Sequence, residues 1–146
     1  VAEKRPRFFR FFIWSSSLVT SWMKPMSRGI DAQCIHGDIP QEKREKVMAR
    51  FRRGELRVFV STDVAARGID VDDVDAVFNY DVPDENEYYV HRIGRTGRAK
   101  RHGVAYTFVT DYPGMVRLND IAKHTRNQIQ PVKFAEDGSL VPADAK

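Results

Sequence analysis

One cysteine, Cys34, stands among 146 residues, so an internal disulfide is excluded and a reducing compartment suits the chain. A small, buried strand residue is the ordinary use of such a cysteine. No apolar run approaches the ~20 residues needed to cross a bilayer, so no membrane partner is expected. The stretch RFFRFFIWSSSLV has the apolar weight of a leader. Arg7 and Arg10 interrupt it and no small-residue cleavage site follows, so export is not expected and a cytoplasmic location is. Internal repeats are lacking as well. Acid is missing locally: residues 1–30 carry six Lys/Arg against Glu3 alone, and residues 91–102 carry five against none.

What is present is the composition of a globular protein, 42% apolar and 30% charged, in a chain long enough for one real core. The net charge of +4 is modest, so its distribution matters more than its total. Acids gather in DVDDVDAV (Asp70 to Val77) and DVPDENE (Asp81 to Glu87), leaving basic patches elsewhere. Such patches fit a phosphate-bearing partner, although a charge run is also simply a solvated face.

From residue 30 onward strands alternate with helices. IDAQCIHG, LRVFVST, DAVFNYDV and GVAYTFVT read as strands. DIPQEKREKVMARFRRGE reads as a helix capped by Asp38, burying Val47, Met48 and Phe51, and stopped by Gly54. DENEYYVHRI is a second helix. PGMVRLNDIAKHT is a third, with Met115, Leu118, Ile121 and Ala122 on one side. This order predicts an α/β domain around a parallel sheet. FFIWSSSLV can form a strand running into a turn, but Pro25 stands where a covering helix is expected. After Phe134 the sequence is small and polar, and a flexible tail over 135–146 is expected.

Ligands of open parallel sheets bind at the carboxyl ends of strands. HGD (His36 to Asp38), STDVAARGID (Ser61 to Asp70) and DVP (Asp81 to Pro83) each follow a strand. The arginine run HRIGRTGRA closes the helix before the last strand, and all four loops are expected on one rim. Thr62 offers a hydroxyl suited to phosphate. Arg67 can pair with an acid or a phosphate, Gly68 permits close backbone approach, and Asp70 accepts from hydroxyls such as those of a ribose. Arg95 and Arg98, three apart, emerge together if the helix runs on through them. Such a pair can neutralise a transferring γ-phosphoryl group or form a structural ion-pair network, and the pattern leaves both open.

IHGDIPQEKREKVMARFRRG, VSTDVAARGIDV and YYVHRIGRTGRA, in this order and spacing, resemble the C-terminal RecA-like domain of DEAD-box RNA helicases over roughly residues 29–134. The resemblance implies a RecA-like three-layer α/β fold, a central mostly parallel sheet flanked by helices, over residues 1–134. It implies that Arg95 and Arg98 are arginine fingers reaching ATP across an interdomain cleft, with Gly68 and Asp70 beside the nucleotide. His91 and Arg92 would join the network coupling two domains. Gly37, Gln41, Arg44, Thr62 and Arg67 would line the RNA backbone path. The implied partners are RNA, gripped without sequence preference, and an N-terminal RecA-like domain that holds most of the ATP and Mg2+.

Neither a G-x-x-x-x-G-K-[ST] loop nor an Asp-Glu-Ala-Asp run is present, so the isolated chain is expected to bind ATP poorly and hydrolyse none. Residues 8–27 depart from the family, which places a strand and a long acidic helix there. Trp22-Met23-Lys24 is encoded TGG-ATG-AAR, and the frame offset by two nucleotides reads Asp-Glu, which fits a reading-frame rearrangement. Redesign and divergence are the rivals. An altered strand there would expose a sheet edge and favour self-association through Phe8, Phe9, Phe11, Phe12 and Trp14. A non-catalytic RNA-binding or annealing module, or a damaged or engineered helicase domain, are the alternative functions.

Overall fold

The computed structural model describes residues 10–15, 29, 31–66, 74–97 and 102–144. Seven strands lie among them: β1 (Phe11–Trp14), β2 (Ala32–Ile35), β3 (Val58–Ser61), β4 (Ala76–Asn79), β5 (Val104–Thr107), β6 (Val132–Phe134) and β7 (Leu140–Pro142). Among the same described residues the helices are α1 (Gln41–Arg52), α2 (Asn86–Ile93) and α3 (Tyr112–Thr125). The first five strands form one sheet in the order β2-β3-β1-β4-β5, every neighbouring pair parallel. This is the expected α/β architecture.

Register divides the sheet cleanly, because side chains alternate between faces. Phe59, Phe12 and Val77 lie level on adjacent strands, as do Ile35, Ser61, Trp14 and Asn79 one step on. On that face Val47, Met48 and Phe51 of α1 join Phe12, Trp14, Ile35, Phe59 and Val77 in one buried cluster. Rings of Phe12, Phe59 and Phe51 meet at centroid separations of 4.9 and 5.3 Å. Burying one such ring contributes about 1.5–3 kcal/mol, which is why α1 docks despite a strongly polar outer face. The opposite face gathers Ala32, Val58 and Val60 with Phe11, Ile13 and Cys34.

The β1 strand departs most from expectation. It lies between β3 and β4, with Phe12 and Trp14 no more than 2% exposed. A central strand presents no free edge, so Phe12 and Trp14 offer no surface for self-association; Phe8 and Phe9 lie outside the described residues. Arg10, read as an interruption in a leader-like stretch, has a structural role. Its main chain exchanges hydrogen bonds with Asp75 ahead of β4, and its guanidinium donates to Phe51 O at the end of α1.

Helix boundaries follow backbone chemistry more than side-chain caps. Pro40, not Asp38, is the N-cap of α1, and no side chain caps that end. Asp38 instead donates its N–H to His36 Nδ1. Gly54 does end the helix, at φ +75°. In α3, Asp111 caps Gly114 N at 2.8 Å, and Leu118 and Ile121 are buried while Met115 faces solvent. The tail expected from residue 135 contains β7, paired antiparallel with β6 around Gly138. Phe134 opposite Leu140 and Val132 opposite Pro142 supply the cross-strand pairs that a purely polar reading of this segment overlooked.

Candidate functional site

Parallel strands place all their carboxyl ends on one edge of the sheet. Gly37, Thr62 and Asp81 therefore share that edge, just past β2, β3 and β4. The described part of the arginine run, through Gly97, does not join them. Helix α2 starts beyond Asp81 and stops at Gly94, and Thr96 N–H then bonds Ile93 O in a turn. Val74, two residues before β4, donates its N–H to Arg95 O at 3.1 Å and bridges in parallel to Thr96. Arg95 thus emerges from a turn at the amino edge, not from a continuing helix on the rim. The reason is length: eight helical residues climb about 12 Å, nearly the length of a four-residue strand, and carry the chain back across the sheet.

On the carboxyl edge, α1 brings Arg44 against two loops. Its Nη2 and Nη1 reach His36 O and Ala65 O, both at 3.4 Å, and Nε is buried without a partner. The guanidinium thereby braces the loop after β2 against the loop after β3 while remaining partly exposed. Gln41 is exposed one turn earlier and donates to Glu45 Oε1. Thr62 Oγ1 accepts from Ala65 N at 3.2 Å, and Thr62 O accepts from Ala66 N. These bonds hold the start of the loop in a tight turn. Gly37 is exposed, with open space where a side chain would stand.

The two edges are linked by one side chain. Arg92 is fully buried although its helix is short. Its Nε and Nη2 grip Asp63 Oδ1 and Oδ2 at 2.8 and 2.6 Å in a two-pronged pair. Its Nη1 donates to Asp81 O at 3.0 Å, and Nη1 and Nη2 both reach Asp81 Oδ1 at 3.3 and 3.2 Å. The ring of Trp14 lies 5.8 Å from the guanidinium carbon. A helical side chain leans toward the helix N-terminus, so Arg92 reaches back to the carboxyl edge while Arg95 lies ahead at the other. Every N–H of the guanidinium has an acceptor inside this domain, so none is left to reach directly into a second one. His91, next to it, is exposed.

Asp63, Asp81 and Trp14 were not singled out in the sequence as Arg92's partners. The signal was present: Tyr89 and Arg92, three apart, share the buried stripe of α2, and a buried arginine requires acids. Arg67, Gly68, Asp70 and Arg98 lie outside the described residues, as do Trp22, Met23 and Lys24. Among the described residues no group of three or more His, Cys, Asp or Glu side chains is placed to hold a metal ion.

Known proteins match this geometry and sequence. The family model "Helicase conserved C-terminal domain" matches residues 3–100, a span that runs through the unusual segment 8–27. An ATP-dependent RNA helicase CshA of Limosilactobacillus reuteri is 52% identical over 108 residues, 74% of this chain and 22% of that protein. An ATP-dependent RNA helicase FAL1 of Vanderwaltozyma polyspora is 52% identical over 98 residues, covering 67% of this chain and 24% of its own. The solved C-terminal domain of the DEAD-box protein Dbp5 superposes with a TM-score of 0.75 at 35% identity, over 81% of this chain and 71% of that one. The E. coli DEAD-box protein SrmB, solved bound to the regulator RraA, gives a TM-score of 0.73 at 34% identity, over 86% of this chain and 75% of that one. The chain spans about a fifth to a quarter of the length of the curated relatives it matches. With its parallel sheet, its arginine turn and these relatives, the chain belongs to the DEAD-box RNA helicase family and corresponds to the C-terminal RecA-like domain.

Proposed function

We propose that the chain is the C-terminal half of an ATP-dependent RNA helicase, inactive as an ATPase by itself. In this reading Arg95 and Arg98 neutralise the γ-phosphate of ATP, and Gly68 and Asp70 lie beside the nucleotide. Gly37, Gln41, Arg44, Thr62 and Arg67 line the RNA backbone. An N-terminal RecA-like domain holds ATP and Mg2+, and this chain's part is charge neutralisation and RNA grip.

The observation that supports the reading best is the separation of the candidate residues into two edges joined by Arg92. Among the described residues Gly37, Gln41, Arg44 and Thr62 gather where β2 and β3 end, and the turn carrying Arg95 lies beside Val74 at the other edge. An RNA-binding module would need only the first. A motor that couples RNA grip to phosphate chemistry needs both, with a stiff connection between them. Arg92 supplies that connection within the domain, binding Asp63 next to Thr62 three residues before Arg95. Coupling to the second domain would then pass through Arg92's neighbours, with exposed His91 available for direct contact.

Arginine fingers act only on a nucleotide that is held elsewhere. The pure chain should therefore show no ATP turnover with RNA. Mixing it with a separately produced N-terminal half should restore RNA-stimulated turnover, and Arg95→Ala or Arg98→Ala should abolish the gain by roughly 10³-fold or more. RNA binding without restored turnover would favour a binding or annealing module instead.

A further inference from the structure

Gly103 stands just before β5, at the end of the basic stretch that begins in α2. A β-carbon on it would overlap Thr96 Oγ1 and Gly97 N and lie 2.8 Å from Thr96 Cβ. Backbone nitrogen and a β-carbon cannot be moved aside by a rotamer change. Gly103 is not among the glycines with positive φ, so close approach, not backbone conformation, is what demands glycine here.

The same turn is held from its other side. Thr96 Oγ1 donates to Val74 O, Val74 N–H donates to Arg95 O, and Val104 N–H donates to Asp75 O at 3.4 Å. The segment before β4, the arginine turn and the start of β5 thus form one closely packed backbone layer. Arg95 leaves from its middle.

We propose that Gly103 is a positioning residue for Arg95: its missing side chain lets the turn at Thr96–Gly97 seat between Val74 and β5, which fixes where Arg95 begins. The proposal rests on the reading of Arg95 as an arginine finger for its consequence on turnover, but the seat itself can be tested without it. Phosphoryl transfer is sensitive to placement, and a displacement of about 1 Å can cost about 10²-fold in rate.

The test uses the full 146-residue chain. Amide exchange reads the seat directly, because Val74 N–H depends on Arg95 O. In Gly103→Ala, protection of the Val74 amide should fall at least tenfold while that of Val60 in the central sheet is retained. Unchanged Val74 protection would overturn the proposal. If Gly103→Ala loses Val60 protection too, Thr96→Val and Thr96→Ser decide. The first drops the hydroxyl bond to Val74 O and should expose the Val74 amide; the second keeps the hydroxyl and should not. Equal protection in both would likewise sink the idea.

Turnover reconstituted with the N-terminal half then reads the consequence. Gly103→Ala should lower kcat by about 10–100-fold with little change in KM for ATP. Added to Arg95→Ala it should cost nothing further, because both act through one side chain. A full additional loss in the double variant would show that Gly103 acts by another route. If Arg95→Ala leaves turnover intact, the finger reading fails while the exchange result still decides the seat.

Discussion

At the scale of single residues, the chain invests most in Arg92. A buried guanidinium between Asp63 and Asp81 is costly to desolvate, and only complete hydrogen bonding offsets that cost. Removing it leaves the Asp63 and Asp81 carboxylates, both largely buried, without their cation. Arg92→Ala should therefore lose about 3–5 kcal/mol of stability, read as a lower denaturant midpoint with m unchanged. Lysine should rescue little, because one ammonium cannot reproduce the fork on Asp63 and the bonds to Asp81 together. Cys34 gives a second test. Burial raises its thiol above the ordinary value of 9.0. The thiolate is the reactive form, so alkylation of the folded chain should still be climbing with pH at pH 9, levelling off at a higher pH than an ordinary thiol. Unfolded chain at the same pH should react faster, and comparable rates in the two states would contradict the partial burial of Cys34.

At the scale of elements, two helix ends make a matched pair. Both use a left-handed residue, Gly54 at φ +75° after α1 and Arg126 at φ +56° after α3. Nothing lies within 4 Å of a β-carbon added to Gly54, so Gly54→Ala should cost only its backbone strain, about 1 kcal/mol. Arg126→Gly should gain a similar amount, because arginine already bears that strain. Opposite shifts in thermal midpoint would check both at once. Elements also divide what the sequence reveals from what it conceals. Four strands and the helices were legible because residues such as Val58, Phe59 and Val60 form a continuous apolar run and because Val47, Met48 and Phe51 recur at helical spacing. The position of β1 was not legible: FFIW reads as a strand, but only long-range pairing with β3 and β4 makes it central. Nor did the motifs reveal which edge carries the arginine turn. Order along the chain suggested four loops on one rim, whereas the length of α2 sends Arg95 to the other.

At the scale of the whole molecule, the division of jobs proposed for the two edges predicts two different salt responses. Under the proposed function the RNA candidates described at the carboxyl edge act on phosphates, and each phosphate contact to a single strand contributes about 0.7 to the slope of log affinity against log salt. Arg44 has two carbonyl contacts at 3.4 Å, the outer limit of useful hydrogen bonds, so its charge remains available to a polyanion. Arg44→Ala should lower affinity for single-stranded RNA and flatten the slope by about 0.7, equally for every sequence tested. Arg92 is buried and already neutralised by Asp63 and Asp81, so its loss should not change the slope in any variant that stays folded. Arg95, at the opposite edge, should leave RNA affinity of the isolated chain unchanged while abolishing reconstituted turnover. Fluorescence anisotropy across a salt series separates the three. If Arg95→Ala flattens the slope as much as Arg44→Ala, the two edges form one RNA surface, and the division between grip and phosphate chemistry is wrong.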